Sequence, residues 1–157
     1  MMSSQVCIDA NLLISALTPS PMSRHALALF ARWRRDDTNL IAPALLAFEV
    51  TSSLRRLVYL EAITEAEGDE AFAAYQRIGL RLSHRAAIFP LAWQLAKQFG
   101  RPRAYDTAYL ALAQLEGCDF WTADQRLYNT VQRELPWVHQ ITEAANLLLG
   151  STASSRT

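Results

Sequence analysis

Short apolar runs alternate with helical stretches along the chain, and this alternation restricts the fold more than any other feature. The apolar runs are residues 5–9, 40–42 (ending at Pro43), 80–82, 118–122 and 138–141. They are too short for buried helices and read as strands. Between them lie stretches whose apolar residues recur at three and four. Residues 11–17 form a short helix stopped by Thr18-Pro19-Ser20-Pro21, and Ser20 with Pro21 reads as the cap and first position of the next helix, to about residue 35. That helix carries Ala26, Leu29, Phe30 and Trp33 on one face. A helix over 44–60 has Leu46, Val50, Leu54 and Leu57 on its apolar face. Thr64 opens another with Glu67 at capping-box spacing. A helix to about residue 99 is broken or begun at Pro90, and one from 105 or 106 to 116 is apolar nearly all round and so deeply buried. Helices over 124–134 and up to 150 complete the set. Gly79, Gly100, Gly117 and Gly150 fall at predicted helix ends.

Strands alternating with helices imply an α/β fold: a parallel sheet of four to five short strands covered by helices on both faces. Parallel strands need crossover connections, and the helices supply them. The 157 residues suit one domain with a real core, spanning 1–150. Residues 151–157 are small and polar, with little to bury, and read as a disordered tail.

Four carboxylates stand out against this frame: Asp9, Glu49, Asp106 and Asp124. Each sits within or at the end of an otherwise apolar run. Asp9 and Asp124 fall at the carboxyl ends of predicted strands, where ligands bind in open α/β sheets. Asp9, Asp106 and Asp124 each also fit a helix cap or first turn, a purely structural use. Glu49, in mid-helix beside an apolar face, fits that use less well. A carboxylate taken from water without a partner costs several kcal/mol or becomes protonated. Four of them converging would repel, and a hard divalent cation with oxygen ligands is the simplest remedy. Such a cluster suits metal-assisted attack of water on a phosphodiester. Zinc fits poorly: His25, His84 and His139 are scattered, and all three read as surface or capping residues. No Gly-rich phosphate loop and no nucleophile elbow is present.

Formal net charge is zero, which argues against nucleic-acid binding by bulk charge. The positive charge is 14 Arg against one Lys, a bias that suits phosphate oxygens but that GC-rich codon usage also produces. Cys7 and Cys118 have no metal-spaced neighbours and read as buried free thiols in a reducing, cytoplasmic setting. No apolar run reaches the ~18 residues of a membrane span, so no membrane partner is expected. Phe30, Trp33, Tyr59 and Phe72 are the apolar side chains expected to form a protein-binding surface.

The acid-bearing segments resemble the PIN-domain family, and within it the VapC-type toxins of bacterial toxin–antitoxin pairs. Asp9-Ala10-Asn11-Leu12-Leu13 is similar to the opening Asp-x-Asn motif. Phe48-Glu49-Val50 with Leu54-Arg55-Arg56 is similar to the helix-borne Glu motif. The run from Tyr105 and Asp106 through Ala113 is close to the third motif, and Trp121-Thr122-Ala123-Asp124-Gln125-Arg126-Leu127 to the fourth. The resemblance implies a PIN-like three-layer fold and a Mg²⁺- or Mn²⁺-dependent endoribonuclease leaving a 5′-phosphate and a 3′-hydroxyl. It implies Asp9, Glu49, Asp106 and Asp124 as the acids of the site. Asp9 and Asp106 would be direct metal ligands, with Glu49 and Asp124 as further candidates. Asn11 and Thr122 would orient carboxylates or water. Arg101, Arg103 and Arg126 are the candidates for substrate phosphate. Arg126 stands where some relatives carry a further acid, which weakens the case for a second tightly held metal. Asp119, earlier in the same stretch, reads as a polar strand-start residue. An RNA substrate, a cognate antitoxin and a homodimer are the partners implied. Two alternatives stay open: a PIN-type nuclease on other RNA or DNA without an antitoxin, and an inactive PIN module that binds RNA or protein.

Overall fold

The structure, a computed structural model, describes residues 4–143. Among these, five strands and seven helices alternate: β1 (Gln5–Ile8), α1 (Ala10–Leu17), α2 (Ser23–Arg35), β2 (Asn39–Pro43), α3 (Leu45–Tyr59), α4 (Glu65–Arg77), β3 (Arg81–Ser83), α5 (Ile88–Gln98), α6 (Tyr105–Glu116), β4 (Asp119–Thr122), α7 (Gln125–Val131) and β5 (Val138–Gln140). All strand pairs are parallel, in the order β3-β2-β1-β4-β5. The α/β architecture expected from the alternation is therefore present, with five strands.

The chain starts at the central strand, runs outward through β2 to β3, and then returns to the other side of β1 to lay down β4 and β5. The direction of winding reverses between β1 and β4. Crossovers on either side of such a point diverge and leave a crevice beyond the strands' carboxyl ends.

Side-chain alternation along the strands assigns the faces. Phe120 of β4 packs on Tyr109 of α6, with ring centroids 6.0 Å apart. Cys7, level with Phe120 on β1, donates its S–H to the Tyr109 carbonyl at 3.7 Å. Both therefore face α6. Trp121, the next residue, packs on Trp33 of α2, so α2 covers the opposite face. Ile8, Leu12, Leu13, Leu46, Val50, Leu110, Leu112 and Phe120 are essentially inaccessible to solvent. Helix α6 buries a continuous run from Tyr109 to Ala113, as its all-round apolar sequence requires.

Local signals account for most boundaries. Thr64 and Glu67 form the reciprocal capping box at the start of α4. Gly117 ends α6 in the left-handed region, φ +63°, where a side chain would be strained. Pro90 falls in the first turn of α5, where its missing N–H costs no helical hydrogen bond. Gly68 lets α4 approach α3: a Cβ there would stand 2.4 Å from Val58 Cγ2.

Several expectations need correction. Helix α2 starts at Ser23, after Met22, which gives no side-chain cap. Ser20 and Pro21 belong to the preceding turn, where Ser20 Oγ accepts from the Met22 N–H at 3.2 Å and Ser23 Oγ from the Ser20 N–H at 2.8 Å. Helix α7 stops at Val131, three residues before Glu134, as the chain turns toward Pro136. Gly79 follows the Ile78 cap at the end of α4, in the expected place, but without the left-handed conformation of Gly100 and Gly117. The apolar residues proposed as a surface largely are not one. Trp33 is buried, Phe30 and Phe72 pack against the core, and Tyr59 alone of the four is well exposed. Exposed aromatics lie instead at Phe48, Phe89, Trp93 and Tyr105. The helix expected up to Gly150 and the tail over 151–157 lie, beyond residue 143, outside the described residues. No helix among the described residues is long and apolar enough to cross a membrane.

Candidate active site

Asp9 follows the last residue of β1 and caps α1. Its Oδ1 accepts from the Leu12 N–H at 2.8 Å, so the structural role open to it in the sequence is real. That role uses one oxygen. The other accepts from the Thr122 hydroxyl, at the end of the adjacent strand β4. Asp9 and Thr122 are level in the β1–β4 pairing, one step beyond Ile8 and Trp121. Alternation directs both toward the α6 face. Thr122 also reaches forward: its Oγ1 accepts from the Asp124 N–H at 2.9 Å. One buried hydroxyl thus ties the two acids at the winding reversal. Asp124 in turn caps α7 by accepting from the Leu127 N–H at 3.1 Å.

The other two acids come from helices. Glu49 projects from the middle of α3, and its Oε1 accepts from the Tyr109 hydroxyl of α6 at 2.6 Å. Asp106, in the first turn of α6 and one turn before Tyr109, accepts from Arg101 at 2.9 Å. Arg101 belongs to the loop that Gly100, at φ +60°, turns into α6.

The electrostatics couple the acids in pairs, with Tyr109 between the pairs. Burial pushes the Asp9 carboxyl from 3.8 up to about 7; hydrogen bonds from Thr122, Leu12 and Ala123 oppose the rise, and the charge of Asp124 adds to it. Burial also raises Glu49, against the Tyr109 hydrogen bond, and Asp106 adds repulsion. The Tyr109 phenol is pushed well above its usual range by burial, by its bond to Glu49, and by the charges of Glu49 and Asp9. Asp9 thus senses Asp124, Glu49 senses Asp106, and Tyr109 senses both Glu49 and Asp9.

The donor set is oxygen-only and short of positive charge, which fits a hard divalent cation. Among the described residues no ion pair engages Asp9, Glu49 or Asp124, and Arg101 engages Asp106 alone. No three His, Cys, Asp or Glu side chains among the described residues are arranged to hold an ion as they stand. Asp106 is held by Arg101 and Glu49 by Tyr109. A Mg²⁺-like ion keeps most of its own water and needs only one or two carboxylates directly, so the residues fit such a group in chemistry.

The remaining sequence candidates fall outside this cluster or at its rim. The Asn11 side chain is exposed on α1, and the backbone carbonyl of Asn11 accepts from Ser15 Oγ at 2.9 Å. Arg103 and Arg126 are exposed. Arg101 is three-quarters covered and committed to Asp106, a pairing that its reading as a phosphate contact did not anticipate. Sequence reasoning also missed Tyr109. The signal for it was present: three residues after Asp106 it shares that face of α6, and a buried phenol requires a partner. His139 is neither a surface nor a capping residue. It is half-buried, stacks on Trp121 at 4.9 Å, and lies between Asp119 Oδ2 at 3.2 Å and Glu143 Oε2 at 3.3 Å. Cys7 is buried and Cys118 partly so, and both are free thiols.

Comparison with known proteins places this arrangement. The model of the PIN domain matches residues 6–132, which include all four acids. The chain belongs to the PIN-domain family. Among curated PIN-domain relatives, a VapC ribonuclease of Mycobacterium bovis is 28% identical over 131 residues, 83% of this chain and 94% of that protein. Ribonuclease VapC9 of Mycobacterium tuberculosis matches to the same extent. Two solved structures share the fold at 15% identity. A protein from Pyrobaculum aerophilum superposes with a TM-score of 0.65, covering 94% of this chain and 99% of that one. A chain of a toxin–antitoxin complex from Klebsiella pneumoniae gives 0.61, covering 87% and 97%. The PIN-like α/β fold inferred from sequence is thus the fold of the chain.

Proposed function

We propose that this PIN-domain protein is a metal-dependent endoribonuclease that acts as the toxin of a toxin–antitoxin pair, with Mg²⁺ or Mn²⁺ as its cation. The observation that carries the reading is Asp9. It is a buried carboxyl at the winding reversal of the sheet, held in place by Thr122, with Asp124 raising its proton affinity and no ion pair among the described residues. Capping α1 does not by itself require a buried acid, since Asn caps as well, and a divalent cation would offset the cost of keeping a carboxylate there. The names of the relatives, ribonucleases over nearly their whole length, supply the substrate class.

When bound, the cation would lower the pKa of water and neutralise charge on the scissile phosphate and leaving oxygen. The chain's own contribution is placement. Asp9 and Asp106 would hold the ion, Glu49 and Asp124 would bound the site, and Thr122 would fix both strand-end acids. Arg101, released from Asp106, would meet phosphate, with Arg103 and Arg126 at the rim. Products would carry a 5′-phosphate and a 3′-hydroxyl. A cognate antitoxin, a homodimer and a cytoplasmic location belong to the same proposal. The toxin–antitoxin complex among the similar structures supports the antitoxin, and the exposed aromatics Phe89, Trp93 and Tyr105 offer a surface for a protein partner. One observation favours a second reading, a PIN module that binds without cutting: the described acids do not stand as a ready-made cage.

The deciding experiment incubates the purified chain, freed of any partner, with total RNA and Mg²⁺ or Mn²⁺, beside EDTA and Asp106→Asn controls. Discrete fragments absent from both controls are expected. Intact RNA in every lane, from a folded protein that no divalent cation stabilises, would give the binding module first place.

A further inference from the structure

Tyr109 holds Glu49 as Thr122 holds Asp9, through a neutral hydroxyl donor, but it reaches its acid from one helix to another. Its side chain is almost wholly buried, with the ring against Phe120 of β4 at 6.0 Å. Its carbonyl accepts the S–H of Cys7, two residues before Asp9. Its hydroxyl donates to Glu49 Oε1 at 2.6 Å, the short range of a bond to an ionised acceptor. One residue of α6 is therefore fastened to both strands of the winding reversal and to the acid on α3.

The chemistry of the donor matters as much as its position. Arg101 neutralises Asp106 while it holds it. A phenol orients a carboxylate and leaves its full negative charge in place. It engages Oε1, and Oε2 accepts no hydrogen bond among the described residues, which leaves it open to a cation or its water. Glu49 is half-buried and stands on a helix surface where several rotamers would otherwise be open. If satisfying a buried phenol were the whole purpose, a backbone carbonyl would serve without drawing a charged group out of water.

We propose that Tyr109 is a positioning residue that, by holding Oε1, orients Glu49 toward a divalent cation. The proposal rests on the metal-dependent reading above. Tyr109→Phe keeps the ring and its packing and removes only the donor. Partners that orient metal-binding side chains typically change metal affinity by about 10- to 100-fold when removed. The test measures Mn²⁺ binding by calorimetry, and the Mn²⁺ concentration for half-maximal RNA cleavage, for wild type, Tyr109→Phe, Glu49→Gln and the double variant. The expected result is an increase of at least about tenfold in both quantities for Tyr109→Phe, with substrate KM unchanged, and no further effect of Tyr109→Phe once Glu49 is Gln. Unchanged Mn²⁺ affinity in a Tyr109→Phe variant of active wild type would overturn the proposal while leaving the nuclease reading intact. Equal losses with and without Glu49 would overturn it too, as the mark of a purely structural role. A wild type that neither binds Mn²⁺ nor cuts RNA would remove both readings together.

Discussion

Asp9→Asn separates the cost of the site from its use. In the metal-free chain the Asp9 carboxyl holds its proton up to about pH 7, whereas in the unfolded chain it releases it near 3.8. The folded state therefore binds the proton more tightly, and the sign follows: the contribution of Asp9 to stability is most favourable below about pH 4, falls as pH rises between the two values, and levels off above 7. At 1.36 kcal/mol per tenfold change in proton affinity, the full fall amounts to about 4 kcal/mol. An amide of the same shape does not ionise and still caps α1, since Asn is as good a cap as Asp. It weakens the contact with Thr122, at a cost of about 1 kcal/mol. Metal-free Asp9→Asn should therefore be slightly less stable than wild type at pH 4, and about 3 kcal/mol more stable at pH 8. The assay is urea unfolding in EDTA at half-unit steps from pH 4 to 8, reading the difference between the two proteins so that shared titrations cancel. Millimolar Mg²⁺ should then narrow the gap at pH 8 by stabilising wild type alone. A stability difference that stays constant across that pH range would refute the argument, because it would mean that Asp9 ionises as freely in the folded chain as in the unfolded one.

Thr122→Val removes at once the donor to Asp9, in a buried bond, and the acceptor for the Asp124 N–H, in a partly buried one, and should cost about 1–3 kcal/mol in denaturant unfolding. In the RNA assay it should lower cleavage by about 10- to 100-fold, and a loss of stability without a loss of cleavage would count against its placing role. Gly68→Ala pushes a Cβ to within 2.4 Å of Val58 Cγ2, so the Val58 side chain must leave its rotamer or α3 and α4 must separate. Thermal unfolding should show a loss of about 1–3 kcal/mol despite the better helix propensity of Ala.

Much of this protein is written locally. Short apolar runs and the period-3.6 stretches between them specified four to five strands and the helices that connect them. The unbroken apolar run of α6 announced its burial, and Thr64 with Glu67 announced the start of α4. The four acids were visible because charge in an apolar run contradicts its surroundings. Local signals failed where two rules competed for the same residues, as at Ser20-Pro21, where the turn's own hydrogen bonds took the serine that a helix cap required. The tertiary structure decided what no periodicity carries. Strand order put β4 beside β1 rather than beside β3, and so brought Thr122 to Asp9 across 113 positions and Tyr109 to Glu49 across 60. It also set His139 between two carboxylates and turned Trp33 from a surface candidate into core. The division has a physical cause. An element's pattern reports that one face will be buried, but which faces meet is a property of the packed whole, where each pair of partners is chosen by long-range contacts that no segment contains.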